Sequence, residues 1–325
     1  MSVSKPRITI IGLGLVGGSI GLALRQAEAA SVIVGHDRDR VVGNQAKKLG
    51  AVDKVHWNLI SACEDADLVI LAIPLDGVAD TLSVIGPHLR PGCVVMDTAV
   101  VKGRVMGWAA ESLSEDSHFV GTNPILGGGA PGLNGVESAR ADLFQNGLFC
   151  IVPSPTAGPE AVKLISDLVG ILDAKPLFLD AEEHDGLVAA VGQLPGLVSL
   201  ALLETAVRQP AWRELRKVAG PVFEAGTRLA ASNPADVYIS NQENMLRWID
   251  VLAASLESVR KLVAEGDEEE LDQRFEQAWQ ERQKWMADRK VGDWTEGPRP
   301  EMPSRGGLFD SLFGGFLRRG PKEGS

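Results

Sequence analysis

Short apolar runs alternate with segments of helical period through the first half of the chain. Arg7–Gly12, Val32–His36, Leu68–Ile73, Cys93–Asp97, His118–Gly121 and Phe149–Val152 are brief and rich in Val and Ile. Strands buried on both faces carry this pattern. Between them, segments such as Gly17–Gln26 and Val78–His88 read as helices. A further helix, Gly158–Leu172, and a strand, Pro176–Leu179, close this part. Strand–helix alternation of this kind predicts a doubly wound parallel sheet, hence an α/β fold. After about residue 181 the strand signal stops, and 184–208, 211–231, 235–265 and 268–288 all read as helical. Pro195 falls inside the first of these and predicts a kink. Asn233-Pro234 predicts a helix start, and Asp267-x-x-Glu270 predicts a capping box. From about Gly292 the composition turns to Gly, Pro and Ser, which predicts disorder. The expected division is therefore 1–180, an all-helical 181–290, and a tail at 291–325.

Gly12-Leu13-Gly14-Leu15-Val16-Gly17 spells GxGxxG directly after the first strand and at the start of a helix. Gly12 permits the tight turn, Gly14 lets a pyrophosphate approach the backbone, and Gly17 lets helix and strand pack closely. The helix start offers free N–H groups to the phosphates. Asp37 follows Gly17 by 20 residues, at the end of the second strand. A carboxylate there accepts both ribose hydroxyls and repels a 2′-phosphate. The expected cofactor is NAD, bound by a Rossmann-type domain. Arg38 could pair with a 2′-phosphate, so NADP stays open. Pro74, ending the fourth strand where the carboxyl edge meets the cofactor, is expected to wall the cleft or simply to end the strand.

Composition narrows the partners. Apolar residues make up 45% of the 325, and 32 Lys+Arg against 43 Asp+Glu give a net charge of −11. So acidic a chain argues against nucleic acid and anionic membrane surfaces. Cys63, Cys93 and Cys150 are too few and scattered for a disulfide framework or a CxxC metal site, and no histidine–carboxylate grouping has metal spacing. A reduced, cytoplasmic setting fits. The uncharged stretch Ile8–Leu24 imitates a targeting segment, but a nucleotide-binding fold accounts for its five glycines and no small-residue cleavage site follows. In the tail, Leu308, Phe309, Leu312, Phe313, Phe316 and Leu317 recur at helical spacing ahead of Arg318 and Arg319. Either 308–319 docks on a partner or membrane surface, or it packs on its own protein.

The sequence resembles prephenate and arogenate dehydrogenases over roughly residues 7 to 265. The resemblance is carried by IIGLGLVGGSIGLAL at 10–24, DTAVVKGRV at 97–105, GTNPILGGG at 121–129 and ARADLFQNGLFCIVP at 139–153. EEHDGLVAAVGQLPGLVSLAL at 182–202 and GTRLAASNPADVYISNQEN at 226–244 complete it. It implies an NAD-dependent oxidative decarboxylation of a cyclohexadienol in tyrosine biosynthesis, a small carboxylated substrate, and a homodimer built by the helical half. The family pattern has a histidine that holds the ring hydroxyl, where this chain has Asn123. It has a serine at Val100, and its histidine-leucine-proline-histidine run reads Gln193-Leu194-Pro195-Gly196 here. An amide hydrogen-bonds but does not titrate near neutral pH. The resemblance makes Asn123, Lys102 and Gln193 the catalytic candidates, Lys102 mainly structural, and Arg228 the partner of the substrate's side-chain carboxylate. His184-Asp185 fits the family and reads as a helix cap. Two alternatives stay open. One is a dehydrogenase of another carboxylated substrate, as in β-hydroxyacid dehydrogenases, if Lys102 and Asn123 face one cleft. The other is a dinucleotide-binding sensor or assembly protein with reduced catalysis.

Overall fold

A computed structural model describes residues 5–127, 133–231 and 234–291. The sheet half comprises β1 (Arg7–Ile11), α1 (Leu15–Gln26), β2 (Val32–His36), α2 (Arg40–Leu49), β3 (Lys54–Val55), α3 (Leu59–Cys63), β4 (Leu68–Leu71), α4 (Val78–Ile85), β5 (Val94–Asp97), α5 (Gly103–Ser112), β6 (His118–Ile125), β7 (Leu148–Pro153), α6 (Pro159–Ile171) and β8 (Lys175–Phe178). The helical half comprises α7 (Ala181–Val188), α8 (Leu194–Val207), α9 (Trp212–Val218), α10 (Pro221–Thr227), α11 (Ala235–Ile239), α12 (Gln242–Glu265) and α13 (Glu268–Val291). By contacts, one compact unit ends at Ile249 and a second begins at Asp250.

The eight strands lie in the order β3-β2-β1-β4-β5-β6-β7-β8. All neighbours run parallel except β6 and β7, which pair antiparallel. The chain therefore winds outward from β1 to one side and from β4 to the other, leaving a crevice at the carboxyl ends where the two directions part. Both faces of the sheet are covered. Leu68, Ile70, Val94 and Met96 pack into one apolar cluster, while Val69, Leu71 and Val95 pack into the other. This two-sided burial explains the unbroken apolar runs of the sequence.

Several expected boundaries shift. β3 has only two residues and no sequence signal. β6 runs past Gly121 to Ile125, and Pro124 sits within it opposite Phe149. β5 covers β6 only along His118–Val120, so Pro124 is free on that side and its missing N–H breaks no ladder. The distortion expected at Pro195 comes earlier. Ala189–Gln193 forms a π-helical turn, and Pro195 then lies in the first turn of α8, where a proline N–H is not required. In the second unit, Gly266 (φ +71) turns the chain and the Asp267 carboxylate accepts from Glu270 N at 3.0 Å. The Glu270 side chain pairs with Arg274 instead of completing the box. Residues 308–319 and Asn233 lie outside the described residues.

Candidate functional site

The glycine loop joins β1 to α1. Gly12 has φ +88, and its N–H donates to His36 O at 2.9 Å, tying the turn to β2. A Cβ at Gly12 would lie 2.2 Å from Ala72 O, and one at Gly17 would lie 1.9 Å from Gly12 O, so both positions exclude a side chain. A Cβ at Gly14 would meet nothing within 4 Å. The first turn of α1 has no side-chain cap and no acidic residue. Its free amides thus face open space beside Gly14, a cradle that fits a pyrophosphate. Leu13 is buried under the loop, while Leu15 and Val16 start the helix.

Asp37, at the end of β2, accepts from Leu13 N through Oδ2 and from Asp39 N through Oδ1, both at 2.8 Å. It braces the glycine loop and keeps further lone pairs beside the cradle. Arg38 is exposed. Pro74 is exposed and caps the short turn Leu75–Gly77 after β4. These residues stand at the carboxyl ends of β2, β1 and β4, around the point where the winding changes direction.

Further along the same edge lies a buried polar network. Asp97 ends β5, and Lys102 precedes α5; both side chains are fully buried. Lys102 Nζ donates to Asp97 Oδ2 and, at 2.7 Å, to Thr122 O on β6. Asp97 also accepts from Ala99 N at 2.9 Å and Thr122 N at 3.2 Å. Burial holds the Lys102 ammonium below the ordinary lysine value, and the Asp97 charge opposes that shift.

Asp185, on α7, accepts from Lys102 N at 2.7 Å and from Gly103 N at 2.8 Å. It therefore caps α5, which has no side-chain cap of its own. His184 is fully buried. Its Nδ1 lies 2.8 Å from Asp185 Oδ1, and its Nε2 lies 3.1 Å from Asn123 Nδ2. From the other side, Asn241 Nδ2 donates to Asp185 O at 2.8 Å and to Gln193 Oε1 at 2.9 Å. Gln193 Nε2 donates to Val237 O at 3.2 Å.

Asn123, Lys102 and Gln193 thus belong to one connected network, although they come from β6, the start of α5 and the π turn. His184 and Asp185 are its hub. The reading of that pair as the cap of its own helix is corrected. Asp180 caps α7, accepting from Glu183 N at 2.7 Å, whereas His184 and Asp185 lie one turn further in and face the interior. Asn241 carried no signal beyond its place in the 226–244 motif. Arg228 stands apart from the network. It is exposed, begins the turn Arg228–Ala231 packed on α8, and forms no ion pair among the described residues. No cluster of potential metal ligands occurs among the described residues.

The chain matches known proteins along most of its length. Residues 20–177 match the nucleotide-binding domain of prephenate dehydrogenase, and 180–277 match the dimerization domain of prephenate dehydrogenase. The chain is 28% identical to prephenate dehydrogenase of Bacillus subtilis over 86% of its own length and 76% of that protein's. It is 28% identical to cyclohexadienyl dehydrogenase of Zymomonas mobilis, over 87% and 96% of the two chains. It is 30% identical to the probable prephenate dehydrogenase NovF of Streptomyces niveus, over 79% and 70%. Among solved structures, prephenate dehydrogenase from A. aeolicus in complex with hydroxyphenyl propionate and NAD+ superposes with a TM-score of 0.79. That match is at 26% identity and covers 87% of this chain and 99% of that one. Synechocystis arogenate dehydrogenase gives a TM-score of 0.73 at 25% identity, covering 86% and 99%.

Proposed function

The chain belongs to the prephenate dehydrogenase family, and from that premise we propose that it is an NAD-dependent oxidoreductase acting on prephenate or arogenate. In that reaction a hydride leaves the carbinol carbon, the ring carboxylate departs as CO2, and its electron pair makes the ring aromatic. The hydroxyl oxygen keeps its proton in the phenolic product, so the enzyme must hold that O–H rather than remove it for good. When bound, the nicotinamide supplies the hydride acceptor. The observation that carries the reading is the open cradle at Gly14, ahead of an uncapped helix start, within a chain matched by both domains of the family.

The chain's own residues then have these roles. Gly12 and Gly17 shape the turn, and the amides around Gly14, Leu15 and Val16 receive the pyrophosphate. Asp37 takes the ribose hydroxyls and favours NAD over NADP, with Arg38 and Pro74 at the rim. Asn123 accepts the substrate hydroxyl through its amide oxygen. Lys102 fixes β6 through Thr122 O, and Gln193 holds the α11 segment through Val237 O. Arg228, exposed and without an ionic partner among the described residues, pairs with the substrate's side-chain carboxylate. The lysine-plus-amide reading for a different acid is not favoured, because Lys102 Nζ is fully buried and bound on Asp97 and Thr122.

Residues 1–180 would form the nucleotide-binding part and 181–290 the substrate and dimerisation part. α7, the π turn and α8 expose Leu187, Val191, Val198 and Leu202, a face that a second copy of the chain would cover. Three buried, unpaired cysteines suit a reducing cytoplasm. The deciding experiment supplies prephenate and arogenate in parallel, each with NAD and with NADP, and follows reduced-cofactor absorbance. Turnover with NAD on either acid is expected. Tight NADH binding without turnover of either would point to another carboxylated substrate or to a sensor.

A further inference from the structure

We propose that His184 is the positioning residue for Asn123, and that gaining a proton on its imidazole reverses which end of the Asn123 amide faces the substrate. The proposal rests on the reading of Asn123 as the group that holds the substrate hydroxyl. Its starting point is the direction of each hydrogen bond. Asp185 already accepts two backbone amides, from Lys102 and Gly103, so it acts as an acceptor toward His184 as well. His184 Nδ1 must then carry a hydrogen and donate it to Asp185 Oδ1, 2.8 Å away.

That assignment leaves Nε2 as the variable atom. In the neutral ring Nε2 has only a lone pair, and it accepts from Asn123 Nδ2 at 3.1 Å. The Asn123 amide oxygen is then turned away from His184, and no hydrogen bond among the described residues ends on it. It is the free acceptor that a carbinol O–H needs. In the protonated ring both nitrogens donate. Nε2–H would face the NH2 group, so the amide must turn by half a revolution and offer its oxygen to His184. The substrate then meets an NH2 donor in place of an acceptor. One proton on a residue that never touches substrate thereby inverts the polarity of the residue that does.

The surroundings leave His184 as the group that makes this exchange. Asp185 is its fixed acceptor. Lys102 and Asp97, from the β5–α5 connection, are joined to each other. The Cys150 thiol stands opposite Asn123 on β7 and is pushed up by burial. Arg247 of α12 lies against Gly186, one residue beyond Asp185. Gln193, Asn241 and Asn244 contribute only amides.

The test has two arms. The first needs no turnover. The intact protein, labelled with 15N at histidine and asparagine side chains, is titrated by NMR. The expected result is a neutral His184 with its hydrogen on Nδ1, and an Asn123 NH2 signal that moves with the same midpoint as the His184 ring. A hydrogen on Nε2 in the neutral ring, or an Asn123 signal unmoved through that titration, would overturn the proposal. The second arm compares pH profiles of kcat and KM for wild type, His184→Gln and Asn123→Ala. A glutamine side chain in place of the imidazole could bond the amide but not titrate, so kcat should fall about 10²-fold with NAD affinity within about twofold, and the wild-type inflection should vanish. Asn123→Ala should lose the same inflection, which covers the case of a His184→Gln protein that does not fold. An inflection that persists in either variant would overturn the proposal. If neither prephenate nor arogenate is turned over, the substrate reading fails, and the NMR arm still decides the role of His184.

Discussion

Gly14 and Gly17 are three residues apart in one loop, yet the structure implies opposite consequences for the same added methyl group. In Gly17→Ala the new Cβ would begin 1.9 Å from Gly12 O and 3.1 Å from Ala72 Cβ. Carbon and oxygen need more than about 3 Å, so α1 must back away from β1 by about 1 Å. Overpacking a tight interior costs about 1–3 kcal/mol, and the better helix propensity of alanine returns about 1 kcal/mol at most. The obstacle here is backbone, which cannot rotate aside, so a net loss of about 2 kcal/mol is expected. At about 2–4 °C per kcal/mol for a unit of this size, the midpoint of thermal unfolding should drop by about 4–8 °C. In Gly14→Ala the methyl group enters open space, and φ −69, ψ −154 suits an alanine, so stability should stay within about 0.5 kcal/mol. The methyl would occupy the pyrophosphate's approach. Losing one charge-assisted hydrogen bond costs about 1.5–3 kcal/mol, or about 10- to 100-fold in Kd. Scanning calorimetry and titration calorimetry with NAD+ and NADH measure both quantities on the same samples. A Gly14→Ala protein that binds either cofactor as tightly as wild type would refute the placement of the phosphates, whatever Gly17→Ala does.

Lys102→Met fills the same buried slot but leaves the Asp97 carboxylate without its cation, and urea unfolding should show a loss of about 3–5 kcal/mol. A loss under about 1 kcal/mol would mean that the Ala99 and Thr122 amides satisfy Asp97 alone. Burial raises the Cys63 and Cys93 thiols from 9.0 to about 12. Between those values the folded chain holds more protons than the unfolded one, so these thiols' contribution to stability is present below pH 9.0 and is lost as pH rises toward about 12. Denaturation of wild type and of Cys63→Ala/Cys93→Ala across that window should show a shallower decline in the variant. Equal slopes would contradict the assignment. Val191→Glu/Val198→Glu places charge on the exposed face of the π turn and α8 and should halve the mass seen by light scattering; an unchanged mass would move the subunit contact elsewhere.

Periodicity along the chain revealed what neighbours in sequence determine. The strand runs, the glycine loop and the acid after β2 all follow from local patterns, but the helices do so only in outline: 211–231 divides into α9, α10 and the turn Arg228–Ala231, and 235–265 divides into α11 and α12. Where pairing across the sheet decides the outcome, the sequence misleads. β3 is two residues long and pairs only with Val34 and Gly35 of β2, too short to leave a pattern in the sequence. The sequence pattern ends β6 at Gly121, but the strand runs on through Pro124, which a strand uncovered on one side accepts. The nucleotide loop could be named to the residue because its parts are contiguous. The second site could not, because its bonds join residues 61, 83 and 56 positions apart. His184 beside Asp185 looks like a helix start in one dimension. Only the fold shows that Asp180 takes that task and that the imidazole reaches Asn123.

The carboxylate that closes the start of α5 comes from α7, beyond the last strand. Cutting the chain after Leu179 would therefore leave two amides of a sheet-half helix without acceptors. The start of α5 is completed by a residue of the helical half. Asp185 thus ties the two halves together by hydrogen bonds as well as through the chain itself.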